Sequence, residues 1–145
     1  MLNIKTPKIK ELTLKPTFSI INKYNNDTWL DIRNVNNDEL SAHYTNICQQ
    51  HKREKKWILM INPENKSLEQ LANNGNIDPT KILKINDKKV NVNLENIATA
   101  LSKGNCSAVV LRNTCFKQEQ LSALMNCAKK GNTQCIVLNS FETLH

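Results

Sequence analysis

Cysteine, histidine and a few basic residues beside apolar runs are the groups in this sequence whose types could support chemistry. Cys115 lies in Arg112-Asn-Thr-Cys-Phe116, just after an apolar run, where α/β sheets place their ligands. A nucleophilic cysteine needs a base beside it, and no histidine is near Cys115 in sequence. Cys106 and Cys135 sit within or beside apolar runs, and Cys127 sits in a helical pattern. An odd count of five cysteines without a C-x-x-C pair reads as reduced thiols used as small hydrophobes. His43 and His51 fall on one helical face with Cys48 close by, but eight residues are about two turns, too far for joint chelation. No metal is expected. Paired carboxylates are also missing from the predicted strand ends, where only Glu64 and Glu119 are close.

Phosphate binding fails on glycine placement. A phosphate loop needs several glycines before a helix, followed by lysine and Ser/Thr. The three glycines here (Gly75, Gly104, Gly131) all follow helical patterns. The segments in the ligand-binding position are Asn62-Pro-Glu-Asn-Lys-Ser67 and Arg112–Phe116, and Lys66-Ser67 only faintly echoes the motif. No cofactor is expected, and no enzyme. A nucleic-acid face would interleave lysines with stacking aromatics. Lys88-Lys89 and the run His51-Lys-Arg-Glu-Lys-Lys56 are basic, but aromatics are 5% of the chain and only Trp57 is adjacent. Since Trp57 opens a strand expected to be buried, these lysines read as solvated surface.

The elements that hold these residues are clearest in the second half. Trp57-Ile-Leu-Met-Ile61 is a continuous apolar run, as in a strand covered on both faces of a parallel sheet, and Pro63 ends it. Ser67 is expected to cap a helix with Leu68, Leu71 and Ala72, closing at Gly75. Lys81-Ile-Leu-Lys-Ile85 reads as a strand. Leu94, Ile97, Ala98 and Leu101 share one helical face, and Leu121, Leu124, Met125 and Ala128 repeat that spacing. Lys-Gly-Asn then recurs at Lys103 and Lys130, 27 residues apart, each time leading into an apolar strand. Glycine there is expected to supply the left-handed residue that stops the helix. Earlier, Thr28–Arg33 reads as a short strand. A helix capped by Asp38 or Ser41 and running to about Lys52 would bury Leu40, Tyr44, Ile47 and Cys48. Alternating strands and helices predict a three-layer α/β domain with a mostly parallel sheet and right-handed crossovers.

At 145 residues one domain is expected, over residues 28–140, with a basic arm at 1–27 and a short tail at 141–145. The net charge is +7, and residues 1–24 carry five lysines against Glu11 alone, which is +4 of that excess. A basic arm favours encounter with acidic proteins. No apolar run approaches the 18 or so residues of a membrane span, and no signal-peptide pattern follows the N-terminus, so a cytoplasmic location is expected.

Taken in order, Lys56-Trp-Ile-Leu-Met-Ile-Asn-Pro63, Thr80-Lys-Ile-Leu-Lys-Ile85, Ala100–Val110 and Ala128-Lys-Lys-Gly-Asn132 resemble the succession found in the SulA family, the SOS-induced bacterial cell-division inhibitors. The resemblance runs through about residues 28–139. It implies a RecA-like α/β fold without a Walker A loop, in non-enzymatic proteins, often homodimers, that bind FtsZ and block its polymerisation and GTP turnover. It also implies proteolysis by a Lon-type protease that reads the C-terminal tail; His145 resembles the family's ending, though the tail here is much shorter. Carried over by position, the FtsZ-contacting residues would be Lys56, Ile61, Leu71 and Lys81. Lysine stands at 56 where the family often has arginine, which removes the bidentate fork. Leucine stands at 71 where some relatives have tryptophan. For Ile61 and Leu71 plain core is the competing role, whereas Lys56 and Lys81 are expected to be surface groups free to meet an acidic partner. Arg112, at a strand end, is a further partner-binding candidate without family support.

Other functions stay open from sequence. One is a RecA-related accessory protein of the DNA-damage response, binding a recombinase or polymerase. Another is a nucleic-acid-binding domain using the lysine-rich arm.

Overall fold

A computed structural model describes residues 29–86 and 93–140. The expected arm at 1–27 and tail at 141–145 lie outside the described residues. Among the described residues five strands and four helices alternate: β1 (Leu30–Val35), α1 (Leu40–Gln50), β2 (Trp57–Ile61), α2 (Asn65–Asn73), β3 (Ile82–Ile85), α3 (Leu94–Lys103), β4 (Cys106–Arg112), α4 (Gln118–Gly131) and β5 (Gln134–Ser140). The strands form one sheet in the order β1-β5-β4-β2-β3, and every pairing is parallel.

Alternation along the strands sorts the core into two layers. Ile58, Met60, Ala108, Val110, Ile136 and Leu138 face α1 and α2, meeting Leu40, Tyr44, Ile47, Leu68 and Leu71. Leu59, Ile61, Val109, Leu111, Cys135 and Val137 face α3 and α4, meeting Ile97, Leu101, Leu124 and Ala128. The central strands are buried on both faces, which explains their continuous apolar runs. The connections through α1 and α2 step along the sheet in one direction. Those through α3 and α4 step back on the other face, as one hand of crossover requires.

Several expected boundaries move. The first strand runs to Val35, and its expected start at Thr28 lies outside the described residues. The helix after it is preceded by a short 3₁₀ turn, Asn37–Glu39, closed by a capping box between Asn36 and Glu39. Ser67 is not the cap of α2. Glu64 is, its Oε1 accepting from the Ser67 backbone N–H at 2.9 Å and the Ser67 hydroxyl at 2.6 Å. Lys81 belongs to a 3₁₀ turn, Pro79–Lys81, and β3 starts one residue later.

The two Lys-Gly-Asn turns differ in mechanism. Gly104 has φ +77° and stops α3 as expected. Gly131 remains helical, and Asn132 takes the left-handed position at φ +55°. Gly131 is needed for closeness instead: a Cβ there would stand 1.7 Å from the Leu101 carbonyl oxygen of α3.

Candidate functional site

The sheet's β3 side carries the site. Residues 57, 59 and 61 of β2 and 83 and 85 of β3 face the α3 layer. The helix covers the inner strands and leaves the β2–β3 margin open. Trp57, the first residue of β2, is 44% exposed, and Leu83 on β3 is 41% exposed. They line an open groove of about 770 Å³ with Lys55, Lys56, Lys103 and Gly104. Register explains the opening. Trp57 pairs with Cys106, and its N–H donates to the Asn105 carbonyl at 3.3 Å, so the ring emerges beside the Gly104-Asn105 turn, where α3 has ended. The Lys56 ammonium lies close enough to the Cys106 thiol to offset part of the upward push that burial gives it. Three lysines around an exposed indole and an exposed leucine form a basic rim with an apolar centre, suited to an acidic protein surface.

Trp57 and Leu83 were missed from sequence, and Trp57 is corrected here from buried to exposed. Strand periodicity assigned both to a covered sheet, but it does not say which strand ends the sheet. The local signal is a tryptophan directly after Lys55-Lys56; that it faces a helix ending at Gly104 is set by the fold, almost fifty residues away.

The five candidate residues do not form one patch. Lys56 is half-buried on the groove. Ile61 and Leu71 are 5% and 7% exposed and pack in opposite core layers, so both take the core role. Lys81 is not a free surface cation: its ammonium donates to the carbonyls of His51 (3.3 Å), Lys52 (2.9 Å) and Glu54, gathering the exit of α1. Arg112 stands at the opposite, carboxyl end of the sheet, where its Nε donates to the Asn62 carbonyl at 2.9 Å. There the Glu64 N–H donates to the Tyr44 hydroxyl at 2.9 Å. The Glu64 carboxyl is held below the usual carboxylate range, chiefly by the Ser67 hydroxyl, with backbone N–H groups and the Arg112 charge adding to it. Asn62 and Asn113, with φ of +56° and +55°, turn the chain sharply after β2 and β4. That edge is occupied by internal hydrogen bonds rather than by a ring of N–H groups.

The remaining chemistry-bearing residues are dispersed. His51 is buried between Glu54 (Nδ1 to Oε2, 2.9 Å) and Gln134 (Nε2 to Oε1, 2.9 Å), joining the end of α1 to β5. His43 receives the Arg33 guanidinium at Nδ1 (3.0 Å), and burial followed by that charge lowers its pKa. Cys115 is exposed. No group of three potential metal ligands occurs among the described residues.

A family model described as "Cell division inhibitor SulA" matches residues 34–135, most of the chain, from the end of β1 to the start of β5. The chain belongs to the SulA family. It is therefore a member of a family of SOS-induced cell-division inhibitors, as the succession of strands and Gly-Asn turns implied. The crystal structure of SulA from Pseudomonas aeruginosa is similar in fold, with a TM-score of 0.60 at 19% identity, covering 77% of this chain and 97% of that one. No curated protein matches the sequence. Among the described residues of this SulA family member, no helix is long and apolar enough to cross a membrane.

Proposed function

We propose that this SulA family member arrests division by binding FtsZ and blocking its polymerisation and GTP turnover, and that its partner-binding residues are Lys55, Lys56, Trp57, Leu83 and Lys103. The observation that carries the site is the exposed Trp57–Leu83 pair inside a lysine-rimmed groove. Exposed apolar side chains grouped inside a polar rim mark interaction surfaces, and tryptophan is enriched among residues that dominate binding energy. The lysines steer an acidic surface into place, and the indole and Leu83 supply the apolar contact. Lys56 is thereby kept from the positions carried over by resemblance. Ile61 and Leu71 belong to the two core layers, Lys81 fixes the neighbouring α1 exit, and Arg112 holds the far edge.

FtsZ sedimentation and GTP turnover test this directly. The wild-type chain is expected to lower both in proportion to its amount. Trp57→Ala should need about tenfold more protein for the same effect, the loss of a contact worth roughly 1.4 kcal/mol. Its melting temperature should change little, because the indole is largely outside the core. Undiminished polymer in the presence of wild-type protein would exclude FtsZ as the target. Full inhibition by Trp57→Ala would exclude the groove.

A further inference from the structure

The strand β3 ends the sheet, and among the described residues nothing pairs with its outer edge. Its main-chain directions can be read from one contact. The Asn62 N–H donates to the Ile85 carbonyl at 2.7 Å, so Ile85 points its polar groups inward to β2. In a parallel ladder alternate residues point the same way, which places Leu83 inward with Ile85, and Ile82 and Lys84 outward. The Ile82 N–H is already bonded to the Pro79 carbonyl. Among the described residues, the outward N–H and C=O of Lys84 and the C=O of Ile82 have no main-chain partner.

Each face of this edge carries its own groove. On the α3 face is the lysine-rimmed groove with Trp57 and Leu83. On the α2 face is a second one of about 180 Å³, lined by apolar residues that include Leu68, Ile77 and Ile82, with Glu69, Asn73 and Lys84 as its polar members. It is smaller than the roughly 300 Å³ at which small-molecule sites begin, a size for side chains rather than for a metabolite. An exposed main-chain edge with a groove on either face is the arrangement that receives an added strand, whose alternate side chains enter the two grooves.

We infer that β3 takes up an extended segment of the partner protein by main-chain pairing through Lys84, and that this segment alternates acidic and aliphatic side chains. The acidic set meets Lys55, Lys56 and Lys103 on one face, and the aliphatic set enters the Leu68–Ile77–Ile82 groove on the other. Charge decides against a second copy of this chain. A copy docking edge to edge would bring its own Lys84 and groove lysines against these, in a protein of net charge +7. The inference rests on the groove being the partner surface, and specifies how that surface is occupied.

Amide hydrogen exchange tests it. With saturating FtsZ, the Lys84 N–H of the wild-type chain should slow by at least about a hundredfold, while Leu83 and Ile85, already bonded to β2, change much less. Lys84→Pro removes the outward N–H and spares the bonds to β2, as proline on an edge strand allows. It should weaken FtsZ binding by about tenfold or more beyond Lys84→Ala, which loses only the charge. A short peptide of alternating valine and glutamate, offered to the wild-type chain, probes the edge without FtsZ and should protect the same amide. FtsZ bound with Lys84 exchanging freely would overturn strand addition while leaving FtsZ inhibition standing. FtsZ unbound with the peptide protecting Lys84 would do the reverse. Protection by neither would end the proposal.

Discussion

Lys81 directs its ammonium at three carbonyls around the exit of α1; the 2.9 Å to Lys52 is that of a charge-assisted hydrogen bond, and the 3.3 Å to His51 is a longer, weaker contact. Helix ends leave carbonyls unpaired, so a lysine from another element is a structural fastener here. Lys81→Met is accordingly expected to lower unfolding stability by about 1–2 kcal/mol, measured as a shift of the urea midpoint. Inhibition of FtsZ should fall only as far as the folded fraction falls. An unchanged midpoint with lost binding would return Lys81 to the partner surface. This role was not legible in the sequence because the carbonyl partners lie 27 to 30 residues away. Local pattern reports that a lysine flanks a strand, not what the strand's neighbour presents to it. Trp57 misled for the same reason: its exposure depends on where α3 stops, almost fifty residues later.

Among the elements, α3 and α4 were the most legible. Their apolar spacing, the lysines of their last turns and their glycines are all local signals, and Ile97, Leu101, Leu124 and Ala128 are buried as the spacing required. The glycine's reason was not local. Gly104 answers a backbone angle, whereas Gly131 answers the carbonyl of Leu101 on the neighbouring helix. Gly131→Ala must push the two helices apart and should cost about 3 kcal/mol or more, the upper range for overpacking against backbone. A chemical-denaturation curve checks this, and a change under 1 kcal/mol would show that the helices are free to slide. Gly75→Ala makes a useful contrast. Nothing lies within 4 Å of a Cβ there, so only the left-handed angle of +76° opposes it. The mistaken cap at Ser67 belongs to this scale as well. Serine is the commoner cap by type, yet one carboxylate oxygen of Glu64 binds both the hydroxyl and the N–H of Ser67 and so takes the position.

At the scale of the whole molecule, the three-layer parallel architecture followed from alternating helix-spaced and strand-like segments, and it was readable because buried parallel strands carry nearly unbroken apolar runs. The strand order was not readable, since edge and interior positions differ through long-range pairing. Global stability should register the buried thiols. Burial pushes Cys135 up to about 12 and Cys48 to about 11, from an ordinary value of 9.0. Below pH 9 both folded and unfolded chains hold these protons, and stability is insensitive to them. Above it the unfolded chain releases protons that the native chain keeps, so stability falls as pH rises toward those values. The slope is about 1.4 kcal/mol per pH unit for Cys135, and less for the more accessible Cys48. Urea midpoints between pH 9 and 11 should therefore decline, and Cys135→Ala should make the decline shallower; parallel declines would assign it to other groups. The strand order also bears on biosynthesis. The first strand pairs with the last, Leu30 beside Cys135, and β5 alone joins β1 to β4. On a ribosome adding about 5–20 residues per second, β1 waits on the order of 5–20 s for its neighbour. Throughout that interval β1 has no neighbour, β4 once made exposes the flank that β5 will cover, and a chain interrupted before Gln134 has no way to close its sheet.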